Sequence, residues 1–183
     1  MSSDACGWRE VVVRLYGEWS RERWEEMSAF FSEAKEEARR VDAAVVAMVI
    51  DGQAVYAQPR GGQRDGVHAR WIVEQAGIGL AVRGSRVWSE STPSVVVSLG
   101  EEALRGEGVI VAWACVHQLL TRLGFRVRRE LVSRVMWCAE IEGVDSAELV
   151  SAMVAGRSIA RGRNWRADGT SSPLIFGCFM RWV

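Results

Sequence analysis

The sequence has few of the residues that build the best-known active sites. Its 183 residues include only two histidines, His68 and His117, and two tyrosines, Tyr16 and Tyr56. Neither histidine lies in a zinc-binding spacing such as His-Glu-x-x-His, and no Gly-x-Ser-x-Gly elbow occurs. Each tyrosine lies inside a strand pattern and is better explained by sheet packing than by nucleophilic chemistry. These absences exclude zinc proteases and serine hydrolases that carry those motifs.

The four cysteines are too widely spaced to form a Cys-x-x-Cys pair, which excludes a zinc ribbon and a dithiol redox motif. We expect them to be small buried hydrophobes in a reducing compartment; they are Cys6, Cys115, Cys138 and Cys178. The chain also lacks a basic stretch followed by an apolar signal region, and it has no apolar run of membrane-spanning length. We therefore expect a cytoplasmic protein that does not bind membranes.

The chain also has no net charge. Lysine and arginine together number 23, as do the acidic residues, so no global field recruits nucleic acid and any such binding must come from a local patch. The charge is nevertheless uneven, because residues 120–183 hold ten arginines and six acidic residues. Lys35 is the single lysine. With 49% hydrophobic residues, the chain is expected to form one soluble domain over residues 1–183.

The N-terminal third is predicted to be a strand followed by a helix. Residues 8–16 form an apolar run that Gly17 is expected to close. Ser20 is a suitable N-cap, and apolar residues then recur at spacings of three and four, which predicts an amphipathic helix. Its expected buried stripe is Trp24, Met27, Phe30, Phe31, Ala34, Ala38 and Val41.

Residues 43–99 are predicted to form a meander of about five antiparallel strands. Asp51-Gly52 between two β-rich runs is a hairpin signal. The glycine-rich "PRGGQRDG" lacks the Gly-Lys-Ser/Thr ending of a phosphate loop, so we expect it to be a hairpin loop. Residues 101–123 read as helical, with a break at Gly106 and Gly108 and a stop at Gly124.

The C-terminal part is predicted to contain one strand over 128–144, a short helix over 145–156 and two β-like runs. In the first strand, Met136, Cys138 and Glu140 share one face, and the opposite face is apolar. Together the elements predict an α+β fold, an antiparallel sheet with two to three helices packed on it.

Arginines in the basic C-terminal part are the best candidates for a binding surface. In "RSIARGRNWR", alternation places arginines and Trp165 on one face, where they could follow a phosphate backbone while the indole stacks on a base. The alternative is a strand edge protected by charge against aggregation. The candidate nucleic-acid-binding residues are Arg126, Arg128, Arg129, Arg134, Arg157, Arg161, Arg163, Trp165 and Arg166.

Residues 45–183 resemble the replication initiation factor family, the initiators of rolling-circle plasmids and of filamentous or related phages. The resemblance is carried by Ser98-Leu99-Gly100, by the helix around Trp113, by Leu123-Gly124, and above all by the segment "SRVMWCAE" at 133–140. It implies a DNA-binding endonuclease that nicks one strand with a tyrosine at a plasmid or phage origin. The implied cofactor is Mg²⁺ or Mn²⁺, held by carboxylates on that strand.

This chain departs from the family pattern at two points. The first acidic position of the strand is Met136, which cannot bind a hard cation, so Glu140 is the one remaining metal-ligand candidate. The sequence also ends at Val183, before the Tyr-Asp-Lys segment of the family. We therefore expect a diverged or truncated initiator-like protein that binds DNA without nicking it.

An interaction or structural role is the alternative to DNA binding. The nine tryptophans are compatible with an interaction or structural protein on the same fold that has no nucleic-acid role. Its partner would be a second copy of the chain or a separate polypeptide that completes the fold.

Overall fold

The structure is a computed structural model, and it describes residues 6–106, 108–139 and 175–178. Three helices are present in this part of the chain: α1 (Arg21–Val41), α2 (Glu101–Gly106) and α3 (Gly108–Arg122). The strands are β1 (Cys6–Trp19), β2 (Val45–Ile50), β3 (Gln53–Ala57), β4 (Gly62–Arg64), β5 (Val67–Ala69), β6 (Trp71–Gln75), β7 (Ile78–Val82), β8 (Val95–Gly100), β9 (Phe125–Ala139) and β10 (Ile175–Cys178). The predicted α+β class is confirmed. The helix predicted over 145–156 and the run at 157–169 lie outside the described residues.

Eight strands form one antiparallel sheet in the order β10-β9-β1-β8-β7-β6-β3-β2. Five of them, from β2 to β8, follow each other as the predicted meander. Two of its turns are pairs of residues that both have positive φ. Asp51-Gly52 joins β2 to β3, and Ala76-Gly77 joins β6 to β7. Such turns match the twist of a hairpin, which explains why the Asp-Gly signal predicted the first of them correctly.

Helix α1 begins where the sequence predicts. The Ser20 side chain accepts a hydrogen bond from the Arg23 backbone N–H, and Asp42 ends the helix in a left-handed conformation. The buried side of the helix is formed by Met27, Phe31, Ala34 and Ala38. Phe30 and Val41 were predicted to be buried and are instead exposed, Phe30 beside that line and Val41 at the last residue of the helix.

The main core lies between the helices and one face of the sheet. Alternate residues of β1, including Val11, Val13 and Leu15, pack in the same cluster as α1 and α3. The stop at Gly124 and the break between α2 and α3 are both confirmed. No helix in the described part of the chain is long and apolar enough to span a membrane.

One cysteine prediction is wrong. Cys115 is exposed on α3 rather than buried. It lies at the margin of the side formed by the buried residues Ala112, Val116, Leu119 and Leu120, so helical spacing from Ala112 and Leu119 was not enough to bury it.

The opposite face of the sheet is partly covered by a small hairpin. The segment 59–66, predicted to be a hairpin loop, contains the short strand β4 and a turn at Asp65-Gly66 that leads into β5. A strand break at Arg70 separates β5 from β6. Val67 and Ala69 pack there against Val12, Ala81 and Val96, a second and smaller core. The tip of the hairpin is held by Arg14, whose Nε lies 2.6 Å from the Asp65 carboxylate.

This ion pair makes the stability of the hairpin depend on pH. Burial alone would raise the pKa of Asp65, but the hydrogen bond from the Arg14 guanidinium, together with the charges of Arg14 and Arg134, outweighs it and holds the pKa below its usual range. The stabilisation is therefore complete above the ordinary pKa of 3.8 and is lost as the pH falls through the lowered folded-state value. We expect Asp65→Asn to lower the free energy of unfolding by about 1–2 kcal/mol at pH 7. Urea titrations of both proteins at neutral and acidic pH measure the difference.

The matched control is Asp42→Asn. Asp42 also has positive φ, but its pair with Arg60 is 4.0 Å long and exposed. Its replacement should change stability little at either pH. If the loss caused by Asp65→Asn were unchanged in acid, the Arg14–Asp65 pair would not be its cause.

The longest strand pair positions the candidate site. β1 and β9 pair from Cys6↔Ala139 to Trp19↔Phe125, with register shifts at Trp8/Glu10, Val12/Val13 and Tyr16/Gly17. β9 begins earlier than predicted, at Phe125, and its described part ends at Ala139. β1 does not end at Gly17 as predicted but continues to Trp19, because Gly17 lets the strand pass close to β9.

Candidate nucleic-acid interface

Three of the predicted arginines lie on the first half of β9. β10 pairs with β9 only from Val135 to Cys138, so among the described strands nothing pairs with the outer edge of residues 125–134. Arg126, Arg128 and Arg129 are exposed there. The register shift near Tyr16 and Gly17 inserts Arg128 as an extra residue opposite β1, so that Arg128 and Arg129 follow each other beside it.

Gly17 is required for this arrangement. A Cβ built on Gly17 would lie 2.2 Å from the backbone oxygen of Arg126 and 2.8 Å from the Phe125 ring. A glycine inside a strand commonly marks such a close approach of two backbones. Gly17 therefore fixes the position of Arg126 relative to β1.

The loop between β7 and β8, residues 83–94, lies against the same arginines. The Arg128 guanidinium is 5.7 Å from the centroid of the Trp88 ring, and Arg129 donates a hydrogen bond to the Glu90 carbonyl at 2.7 Å. Buried Ser94 anchors the loop, because its hydroxyl donates to the Gly17 carbonyl at 2.7 Å. Two segments far apart in sequence thus form one surface.

We call this surface the arginine–tryptophan face. It is formed by Tyr16, Glu18, Arg83, Arg86, Trp88, Glu90, Arg126, Arg128 and Arg129. It contains five arginines and two glutamates, so its net charge is positive. Glu18 pairs with Arg128 at 2.6 Å, whereas Arg86 and Arg126 have no carboxylate partner within the part of the chain that the structure describes.

The aromatic rings of this face differ in exposure. Trp88 is 39% exposed, with the Arg128 guanidinium over its ring. Tyr16 is only 5% exposed, and the Arg129 guanidinium lies 3.9 Å from its ring centroid. Tyr16 therefore acts as a support for Arg129, through a cation–π contact, rather than as a surface group.

A cleft of about 400 Å³ lies beside the face, at the start of α1. Arg21, Arg86 and Arg126 line it, together with Ser20, Gly124 and one carboxylate, that of Glu18, which also pairs with Arg128. The N-terminus of a helix carries partial positive charge, so it adds to the potential of these side chains. The cleft is suited to an anionic group such as a phosphate.

Arg134 is separate from this group. Its Nη2 lies 2.8 Å from the Glu10 carboxylate, and its Nε is buried without a hydrogen-bond partner in the described structure. The charge of Arg134 is thus neutralised by a residue that lies far away in the sequence. The remaining arginine candidates 157, 161, 163 and 166, and Trp165, lie outside the described residues.

The metal site implied by the family resemblance has little support in this region. Across the sheet, Glu10 on β1 lies opposite Met136, but its carboxylate is paired with Arg134. Within the described ranges, no group of three or more histidine, cysteine or acidic side chains could hold a metal ion. Glu140, the predicted ligand, lies outside those ranges.

The tyrosines and histidines do not meet at a common site. Tyr56 lies on β3, which β6, β7, β8 and β1 separate from β9, and it is exposed rather than packed as predicted. His117 on α3 lies 2.8 Å from the Glu130 carboxylate and edge-on to Trp113, so it links this helix to β9. His68 is exposed on β5. His117 thus has a structural contact and His68 a surface position.

Comparison of the chain with protein-family models, curated proteins and solved structures gives no match. The composition and geometry of the arginine–tryptophan face are therefore the basis for a function.

Proposed function

We propose that this protein binds single-stranded DNA through the arginine–tryptophan face. The observation that carries the proposal is the grouping of Arg126, Arg128 and Arg129 with the exposed Trp88 and with Arg86. Arginines that lie along a strand can follow a phosphate backbone, and an exposed indole can stack on an unpaired base. The family resemblance adds the expectation that the DNA is a plasmid or phage origin, and that the chain is a diverged rolling-circle initiator.

Binding without strand cleavage is part of the proposal. The side chain expected to supply the first metal ligand is Met136, and Tyr16, the tyrosine of this face, is buried under Arg129. A nucleophile must reach the scissile phosphate, which a buried hydroxyl cannot do without a rearrangement. We therefore expect no nicking of supercoiled plasmid DNA with Mg²⁺ or Mn²⁺.

An alternative explanation of the same arginines is protection of a sheet edge by charge. That explanation accounts for the exposed residues of β9, but it does not require Arg86 and Trp88 to lie beside them. Their presence, held by hydrogen bonds between the loop and both β1 and β9, favours a ligand over simple protection.

The test is fluorescence anisotropy of the whole chain with labelled single-stranded and double-stranded oligonucleotides at low salt. We expect the single strand to bind more tightly, because only unpaired bases are free to stack on Trp88. Absence of binding to either DNA at low salt, where phosphate contacts are strongest, would contradict the proposal. Equal binding of both would remove the role assigned to Trp88.

A further inference from the structure

The cleft at the start of α1 is built from three segments that lie far apart in the sequence. The Ser20 N–H donates to the Gly124 carbonyl at 2.9 Å, which joins the start of the helix to the turn between α3 and β9. The Trp19 N–H donates to the Arg86 carbonyl at 3.4 Å, which joins the end of β1 to the 83–94 loop. Backbone hydrogen bonds therefore fix the walls of the cleft relative to each other.

Gly124 is the residue that lets two of these segments meet. Its φ is +82°, and a Cβ at this position would overlap the Cβ of Arg23 and lie 2.9 Å from the Ser20 Oγ. Any larger residue there would push the turn after α3 away from the first turn of α1. The cleft is thus a fixed feature of the fold rather than a space between exposed side chains.

Two positive charges in this cleft are left without partners. Arg86 and Arg126 are exposed, and neither guanidinium has a carboxylate partner within the described residues. The other charged residues of the lining are each paired with an opposite charge, Arg21 with Glu25 and Glu18 with Arg128. The cleft therefore has an uncompensated charge of about two.

Hydrogen-bond donors are also left over at the cleft. Trp19 lines it and is only 1% exposed, and its indole N–H is buried without an acceptor in the described structure. In the first turn of α1, the Ser20 side chain accepts from the Arg23 N–H. The Arg21 and Glu22 N–H groups have no protein acceptor among the described residues. Free N–H groups at the start of a helix favour an anion as their acceptor.

A phosphate monoester matches these groups better than an internal phosphate of a nucleic acid does. A monoester carries about two negative charges at neutral pH and three strongly accepting oxygens. An internal phosphate carries a single charge, so it would leave one of the two guanidinium groups uncompensated. A monoester in a nucleic acid lies at the end of a strand.

We infer that the cleft binds the terminal phosphate of a single DNA strand, whose next nucleotides lie along Arg128, Arg129 and Trp88. The inference rests on the proposed function, because it adds an end to the same ligand. Arg126 lies both in the cleft and in the row of arginines on β9. β9 begins at Phe125, which also lines the cleft, so the row of arginines ends there.

The test is fluorescence anisotropy of the whole chain with single strands of one sequence that carry a 5′-phosphate, a 3′-phosphate or no terminal phosphate. A phosphorylated strand should bind roughly tenfold more tightly than the unphosphorylated one, because charge-assisted hydrogen bonds are added. The arm that shows this gain identifies the end that the cleft holds. An unphosphorylated strand that is longer by one nucleotide gains an internal phosphate but no monoester, so it should bind like the shorter strand.

The variant Arg86→Gln should bring the ratio of the two affinities, phosphorylated to unphosphorylated, close to one. The ratio is the readout, because Arg86 belongs to the arginine–tryptophan face and its loss also weakens the binding of both strands. Arg64→Gln is the matched control. Arg64 is likewise exposed and has no carboxylate partner in the described part of the chain, but it lies on β4. It should keep the ratio of the natural protein.

Equal binding of the phosphorylated and unphosphorylated strands would overturn the inference and leave the proposed function standing. A preference that Arg86→Gln leaves intact would also overturn it, because the terminal phosphate would then lie elsewhere. Absence of binding by every strand at low salt would instead refute the proposed function, and the inference with it.

Discussion

Replacing Arg126, Arg128 and Arg129 together by glutamine should weaken the binding of single-stranded DNA by roughly a hundredfold at low salt. The reason is that each arginine contributes a phosphate contact and the release of a condensed counterion. Glutamine preserves much of the side-chain length and can still form hydrogen bonds, so the loss reports charge rather than shape. Fluorescence anisotropy with one labelled oligonucleotide measures the change.

The control for this variant removes the same charge elsewhere. Arg21, Arg39 and Arg40 are exposed on α1 and pair with glutamates of the same helix. Arg21 also lines the cleft and is left out of the control. The control is therefore the double variant Arg39→Gln with Arg40→Gln. It is compared with the double variant Arg126→Gln with Arg128→Gln, which removes the same charge from the arginine–tryptophan face. Equal losses for the two pairs would show that net charge, and not the arginine–tryptophan face, governs binding.

The second large effect is a loss of stability on replacing Trp71, a tryptophan of the core. Trp71 is fully buried, packs against Trp24 and Phe31, and donates a hydrogen bond to the Ser32 hydroxyl at 3.3 Å. We expect Trp71→Ala to lower the free energy of unfolding by about 3–5 kcal/mol, because it leaves a cavity in the aromatic part of the core. Urea unfolding followed by circular dichroism measures the loss.

Trp88→Ala should behave in the opposite way. Its ring is partly exposed and contacts Arg128, so its removal should cost less than about 1 kcal/mol of stability. The same change should lower the affinity for single-stranded DNA by about 1–3 kcal/mol through loss of base stacking. If Trp88→Ala left DNA affinity unchanged, the indole would have no place in the proposed site.

Much of the fold follows from local sequence signals. Ser20 predicts the start of α1 because its side chain can satisfy a free N–H of the first turn, and Asp51-Gly52 predicts a hairpin because both residues tolerate positive φ. At Asp65-Gly66, which has the same dipeptide, a hairpin loop was predicted over 59–66, but the short strand β4 of the small hairpin was missed. Its strands are three residues long and partly polar, so they are stabilised by packing on the sheet rather than by their own pattern.

The site was less predictable, because it joins distant segments. The arginines of β9 were found as a basic cluster, but Arg86 and Trp88 lie in a loop without periodicity. The hydrogen bond from Ser94 to Gly17, 77 residues apart, brings that loop to β1. In the same way, no sequence pattern indicated that Glu10 would neutralise Arg134. The tryptophan in the loop 83–94, whose other residues are mostly polar, was the one available signal, since loops lie on the surface and an exposed indole there suggests a ligand.

The most direct test of the central claim is the salt dependence of single-stranded DNA binding. The logarithm of the binding constant should fall linearly with the logarithm of salt concentration, with a slope of about −0.7 for each phosphate contacted. The triple glutamine variant should have a slope shallower by about 2, because three contacts are removed. An unchanged slope in that variant, or no measurable binding of the natural protein at low salt, would contradict the assignment of the arginine–tryptophan face.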